Sequence, residues 1–340
     1  MRGLCYNSNT MDADERQDEI AHRRLLIHEL TRRLHVLELQ AARHGADALP
    51  QIVLEIEDLR AQLAAERRAL GEAPADATPS PPFSAAERHG VAVDLAHQQH
   101  KWDRFAAFVR QSGQGFQAID QSVLAQRNLI ERSAVFVVAP PYHALFTRDE
   151  IAYLADWVLG GGGLLLFGAY AADSHHMSNP SALARRFGLR FNDDLVLPAG
   201  RESELDARMQ VRSLNADLAV KVAPAADTRH PILQGIREVA FLSACSIAIA
   251  ADPEGRSEYL LHAPAASVVM QPRGVADEDG FMPAIERWEM IHQAPAPLAA
   301  TTRYGKGRVA IAGSWKLCTL DYGDNAKLLQ NMLNWLAGTD

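Results

Sequence analysis

Between Ser133 and Tyr170 the chain reads SAVFVVAPPYHALFTRDEIAYLADWVLGGGGLLLFGAY, and that stretch admits few foldings. Ala134 to Ala139 is a continuous apolar run of strand length. From Thr147 onward Ile151, Leu154, Ala155 and Val158 recur at three- and four-residue spacing, which predicts a helix. Gly160 to Gly163 stop it, and Leu164 to Phe167 read as a second buried strand. Strand, crossover helix and strand form a right-handed unit, so this is the middle of a parallel sheet covered on both faces.

The flanking sequence continues the rhythm. Val91 to Leu95 is a short strand, Lys101 to Gln111 a helix with Trp102, Phe105, Phe108 and Val109 inward, and Phe116 to Ile119 another strand. The expected fold is therefore α/β, a doubly wound, mostly parallel, flavodoxin-like sheet. After Tyr170 a helix is expected over Pro180 to Phe187. Short strands are expected near Arg208 to Val211, Leu218 to Val222, Glu238 to Leu242, Ile247 to Ala250 and Tyr259 to His262. Residues 271–286 read as a loop. Pro297 to Tyr304 and Arg308 to Ala312 flank YGKG, a hairpin signal, and Asp324 or Asn325 caps a last amphipathic helix. The later strands should extend the sheet, partly antiparallel.

The first 87 residues follow other rules. Residues 1–11 are expected to be disordered, and 12–70 to form an α-helical hairpin. Its stripes are Leu26, Leu30, Leu34, Leu37 and Ala41, then Ile52, Ile56, Leu59, Leu63 and Leu70, with Gly45 and Pro50 at the turn. Two helices make a thin core, so the hairpin needs another surface, supplied by self-association, a partner protein or the chain's own second domain. Residues 71–87, rich in Pro and Ala, read as a linker, and 88–340 as the α/β domain.

Charge and composition narrow the function. A net charge of −8 over 340 residues argues against nucleic-acid binding as the main role. No apolar run approaches the roughly 20 residues of a membrane-spanning helix, and the N-terminus lacks a signal-peptide core, so a cytoplasmic protein without a membrane partner is expected. Cys5, Cys245 and Cys318 fall in no paired pattern, which suggests neither disulfides nor a zinc site. No metal and no cofactor is assigned.

Two resemblances add to this. The string RRLLIHELTRRLHVLELQAARHGADALPQIVLEIEDLRAQLA resembles the helical effector-associated modules of bacterial conflict and defence proteins, which implies docking. AVFVVAPP, GGGGLLLFGAY, HPILQGI (His230 to Ile236) and GKGRVAIAGSW followed by DNAKLLQNMLNWLAG resemble the class-I glutamine-amidotransferase-like superfamily, in its divergent GIFT-type and ThuA-like members. The second resemblance covers roughly residues 90–338.

Ligands of open α/β sheets bind beyond the carboxyl ends of the strands. Those ends carry Asp94, His97 and His100, then Tyr142 and His143, then Tyr170, Asp173, His175 and His176; Ser314 and Trp315 follow the late strand, and Asp324 and Asn325 the last turn. The turn GAYAADS after Phe167 holds no cysteine and no Gly-x-Ser/Cys-x-Gly, so it lacks the nucleophile of a glutaminase. The expected function is an interaction or signalling protein with a non-catalytic domain that binds a small molecule or a partner through Tyr142, Tyr170, Ser314, Trp315, Asp324 and Asn325. The alternative is a hydrolase acting on a sugar or nucleotide-type substrate through Asp94, His97, His143, Asp173 and His175.

Overall fold

The computed structural model describes residues 88–97, 102–205, 216–250, 256–277, 280–282, 284–293, 295–319 and 321–339, with scattered positions between 23 and 66. Its contacts divide the chain into two units, Met1–Pro79 and Ser80–Asp340.

In the first unit the described residues from Arg23 to Leu37 and from Asp58 to Glu66 are helical. Leu59 and Leu63 are buried while Glu29, Arg33, Asp58 and Gln62 are exposed, the division an amphipathic stripe imposes. Arg23 Nη1 donates to Glu66 Oε2 at 2.8 Å across the two stretches. Both side chains are partly solvated, so the pair contributes less than about 1 kcal/mol. Ala41, Ile52, Ile56 and Leu70, the interhelical turn, residues 1–11 and the whole of the expected linker, 71–87, lie outside the described residues.

The second unit begins as expected. It runs β1 (Val91–Asp94), α1 (Asp103–Gln111), β2 (Phe116–Ile119), α2 (Arg127–Arg132), β3 (Val135–Val138), α3 (Arg148–Leu159) and β4 (Gly163–Phe167). Thr147 caps α3 by a capping box: its hydroxyl accepts from the Glu150 N–H, and the Glu150 carboxylate accepts from the Thr147 N–H. Gly162 and Gly163 are glycine for lack of room. A Cβ on Gly162 would lie 2.5 Å from the Trp157 ring, and one on Gly163 2.5 Å from the Leu336 carbonyl oxygen.

Next come α4 (Ala172–His176), α5 (Pro180–Arg185), β5 (Leu189–Phe191), β6 (Leu195–Pro198), β7 (Val220–Val222), β8 (Val239–Phe241), β9 (Ile247–Ile249) and β10 (Ser257–His262). β11 (Ser267–Arg273), β12 (Arg287–Gln293), β13 (Pro297–Tyr304), β14 (Gly307–Ala312) and α6 (Asn325–Ala337) follow. The seven-stranded sheet has the order β10-β13-β14-β4-β3-β1-β2. Its five parallel strands, β2-β1-β3-β4-β14, have the flavodoxin-like order, and β13 and β10 extend it antiparallel.

Alternation along the strands builds two cores. Val91, Val93, Val135, Val137, Leu165 and Phe167 face Trp102, Phe105 and Val109 around α1 and Leu328, Met332 and Leu333 of α6. Ala92, Phe136, Val138, Leu164 and Leu166 face Ile130, Leu154, Val158 and Leu183 of α2, α3 and α5. Both faces of the central strands are dry, which is why they read as unbroken apolar runs.

After Tyr170 the expected helix at Pro180, the strands near 220, 240, 248 and 260, the C-terminal hairpin and the last helix are present, while other parts depart from expectation. His175 and His176 stand on a helical turn, α4, instead of an extended loop. The stretch expected as a loop over 271–286 opens inside β11, which pairs with β12 and with β6 in a separate three-stranded sheet. β5 with β9 and β7 with β8 form two further ribbons, so these strands cover the flank of the central sheet without extending it. The strand expected near Arg208 to Val211 lies outside the described residues.

Candidate functional site

The strand order reverses between β1 and β3, and there the residues predicted as catalytic pair with one another. Asp94 ends β1, fully buried, and its carboxylate faces His97 Nδ1 at 3.0 and 3.1 Å. His97 Nε2 lies 3.7 Å from Glu150 Oε2, and the ring of Phe146 stacks on the imidazole at 4.0 Å. Glu150 also accepts from the Val123 and Thr147 N–H groups at 3.1 and 2.9 Å. Burial by itself would push the imidazole down; the Asp94 charge and the hydrogen bonds to Asp94 and Glu150 outweigh it and raise His97 to about 10. Burial likewise opposes ionisation of Glu150, and His97 with the Thr147 groups overcomes it, lowering Glu150 to about 2. The result is an imidazolium locked between carboxylates. It cannot accept a proton at neutral pH, so it cannot serve as a general base there. At the switch point, where folds of this order take ligands, Asp94, His97, Phe146 and Glu150 are all buried. His100 lies outside the described residues.

A second group gathers rings at the ends of β3 and β4. Tyr142 lies 4.3 Å from His143 and 5.9 Å from His176, and Tyr170 lies 5.4 Å from His175 and 5.2 Å from His176, as ring centroids. The His143 N–H donates to the His176 carbonyl at 2.9 Å, and the Tyr170 N–H to the Ser243 carbonyl at 3.0 Å. Burial lowers His175 and raises Tyr170. His143, Ala171, Ala172, Met177 and Ser243 all have positive φ, between 29° and 55°. Each costs about 1–2 kcal/mol in a residue with a Cβ. That strain is concentrated on the segments bearing these rings, as it commonly is at functional sites.

Asp173 faces a third group. Its carboxylate accepts from the Ser181 N–H at 3.2 Å and lines an open pocket of about 420 Å³ with Arg185, Arg190, Asp193, Asp194 and Ser246. Burial, and then the charge of Asp193, raise Asp173 to about 7 against the opposing Ser181 hydrogen bonds. Burial raises Asp194 to about 6 although the Ser246 N–H donates to it at 2.6 Å and the Ser246 hydroxyl donates to its other oxygen. Asp193 and both arginines are exposed at the mouth. Cys245, next to Ser246, is wholly buried with its thiol pushed well up, first by burial and then by these carboxylates, so it is no nucleophile.

The five residues named for catalysis thus divide. Asp94 and His97 form one pair, His143 and His175 belong to the ring cluster, and Asp173 faces the pocket. Among those named for ligand binding, Tyr142 and Tyr170 join the ring cluster, while the others hold the fold. The Ser314 hydroxyl is buried, donating to the Leu242 carbonyl and accepting from the Lys316 N–H. Trp315 packs 6.2 Å from Trp102 under the Lys316 ammonium. Asp324 accepts from the Arg237 N–H at 2.7 Å, and the Asn325 amide pairs with both backbone groups of Ala240.

Glu150, Ser181, Arg185, Arg190, Asp193, Asp194 and Ser246 were not legible as site residues. The adjacent Asp193 and Asp194 after Phe191 gave the one usable signal, hidden because β5 is only 3 residues long. Among the described residues, no group of three or more His, Cys, Asp or Glu side chains is arranged to hold a metal ion. None of the described helices is long and apolar enough to cross a membrane.

No family model matches the chain, and no curated protein matches it in sequence. Solved structures do resemble it in shape. The mmIFT52 N-terminal domain aligns over 73% of this chain and 97% of its own, with a TM-score of 0.53 at 15% identity. A cytoplasmic protein of Salmonella typhimurium, STM3548, aligns over 73% and 98% with a TM-score of 0.44 at 13% identity. A ThuA-like protein of Bacteroides uniformis aligns over 78% and 95% with a TM-score of 0.41 at 16% identity. At such identities the likeness concerns the fold alone, a mixed α/β domain built on a mostly parallel sheet.

Proposed function

We propose that this is an interaction protein whose α/β domain binds a small, hydroxyl-rich ligand in the pocket beside Asp173. In the same reading the N-terminal helices dock a second copy or a partner, in the bacterial defence setting implied by their resemblance. One observation carries the ligand reading: at the switch point His97 is buried against Phe146, while Asp173, Asp194, Ser246, Arg185 and Arg190 line an open concavity. Carboxyls raised toward neutrality both donate and accept, and the guanidinium groups only donate. Such a mixture matches the alternating donors and acceptors of a sugar better than a single charged group.

Titration calorimetry with a panel of mono- and disaccharides tests the reading. Saturable binding that Asp173→Asn and Arg190→Gln both weaken is the expected result, with no new product in the mixture. Absence of heat across neutral and acidic sugars counts against it.

A hydrolytic reading is favoured by one feature, the raising of Asp173 to about 7, where a general acid works best near neutrality. Release of a reducing sugar, abolished by Asp173→Asn, would select that reading.

A further inference from the structure

A second concavity opens at the other end of the sheet. β13 runs antiparallel to β14, with Thr302 opposite Val309 and Arg303 opposite Arg308, and Arg308 in turn lies opposite Gly163, the first residue of β4. Arg303 therefore marks the end of the sheet where β4 and β14 begin, whereas Asp173 lies beyond the end where β4 finishes. The concavity, about 360 Å³, is faced by Arg229, Arg256 and Arg303, which come from three separate segments. All three arginines are exposed. Among the described residues that line it, the carboxylate is Glu258.

The rest of the lining suits an anion. His230 Nδ1 accepts from the Ile232 N–H at 3.2 Å, which places the ring proton on Nε2. That Nε2–H points toward Glu258 Oε1 at 3.3 Å, so the imidazole is a donor in this pocket. Trp335, buried, supplies a flat wall, with the His230 ring 5.0 Å away and the Arg303 guanidinium 6.0 Å from its centroid. A guanidinium held against an aromatic face keeps its planar fork of donors at reduced entropic cost.

We propose that this pocket binds a small ligand bearing a multiply charged anionic group, a phosphate ester, a diphosphate or a polycarboxylate. Guanidinium forks engage phosphate and carboxylate oxygens pairwise, and three of them from separate segments line this one concavity. The volume suits a small molecule. The cations line a single concavity of small-molecule size, and a long polyanion would meet a net negative chain beyond it, which argues against a nucleic-acid track. Glu258, with 57% of its side chain exposed, is free to swing away when an anion takes the His230 N–H.

The test is titration calorimetry of the full chain with inorganic pyrophosphate and, separately, with citrate, at low salt and at physiological salt. Saturable one-to-one binding is expected, weakened about tenfold or more by Arg256→Gln and by Arg303→Gln. Glu258→Gln should tighten it, because like charge is removed from the pocket, and Arg148→Gln, on α3, should leave it unchanged. Preference for pyrophosphate assigns a phosphate ligand, and preference for citrate a carboxylate one. Absence of saturable binding to either probe into the millimolar range overturns the proposal, as does equal weakening by Arg148→Gln. Binding of a short DNA duplex with the same arginine dependence overturns it too, in favour of a nucleic-acid surface. The three arginines are exposed, so their variants should keep the parent melting temperature; Glu258→Gln supplies the opposite sign should one of them lose it.

Discussion

Replacing His97 with glutamine removes the one cation from a buried cluster of two carboxylates, and the cost can be worked from the shift. His97 rises from 6.5 to about 10 on folding, while burial works against the charged form and Asp94 and Glu150 favour it. Because the folded value lies above the unfolded one, the stabilisation is fully present below about pH 6.5 and is lost as pH climbs through 10. A rise from 6.5 to about 10 corresponds to roughly 5 kcal/mol at most, the same order as the ~3–5 kcal/mol of breaking a buried ion pair. From pH 5.5 to 8.5 the contribution should fall by roughly 2–3 kcal/mol as the unfolded imidazole loses its proton and the folded one keeps it. Urea denaturation of parent and His97→Gln at these two pH values separates this group from every other titrating one. The parent should lose stability relative to the variant by that amount as pH rises, and the variant should be several kcal/mol weaker at pH 5.5. Parallel pH dependences for the two proteins, or a variant within about 1 kcal/mol of the parent at pH 5.5, would refute the buried imidazolium.

Two further perturbations have definite signs. Asp173, raised from 3.8 to about 7, costs stability increasingly as pH rises through that interval, so Asp173→Asn should stabilise at pH 8 and be nearly neutral at pH 4. The carboxyl lines an open pocket, so the gain is on the order of 1–2 kcal/mol, readable by thermal denaturation at both pH values. Gly307→Ala puts a Cβ about 2.0 Å from the Val158 carbonyl oxygen, which must break the β13–β14 turn or shift α3. A loss of more than about 3 kcal/mol in urea, or insoluble expression, is expected, and a stable, soluble variant would contradict the packing of that hairpin.

What could be read from residues alone followed how strongly local chemistry specifies structure. β1 to β4 were legible because strands buried on both faces are written as apolar runs, and Thr147, Glu150 and the four glycines punctuate the helix between them. The C-terminal hairpin and helix were legible for the same kinds of reason. β5, β6, β11 and β12 were not, since short or half-exposed strands bear little pattern, and β12 exposes Met290 and Ile291 to solvent. Strand ends pick out which polar residues follow the sheet, but periodicity has no means of saying which partners they choose. Asp94 and His97, three residues apart, meet each other before any ligand can. Asp324 and Asn325 meet backbone groups that lie some eighty residues away in sequence.

The insertion of β14 beside β4 has a consequence for biosynthesis. About 140 residues separate the two neighbours, and the face they share is sealed by α6, made later still. A nascent chain that has released β1 to β4 from the ribosome therefore carries an apolar face and an unpaired β4 edge until residues 307–337 emerge. Completion of the sheet is a late event with long loops to close, and that interval is when a holding chaperone would matter most to this protein.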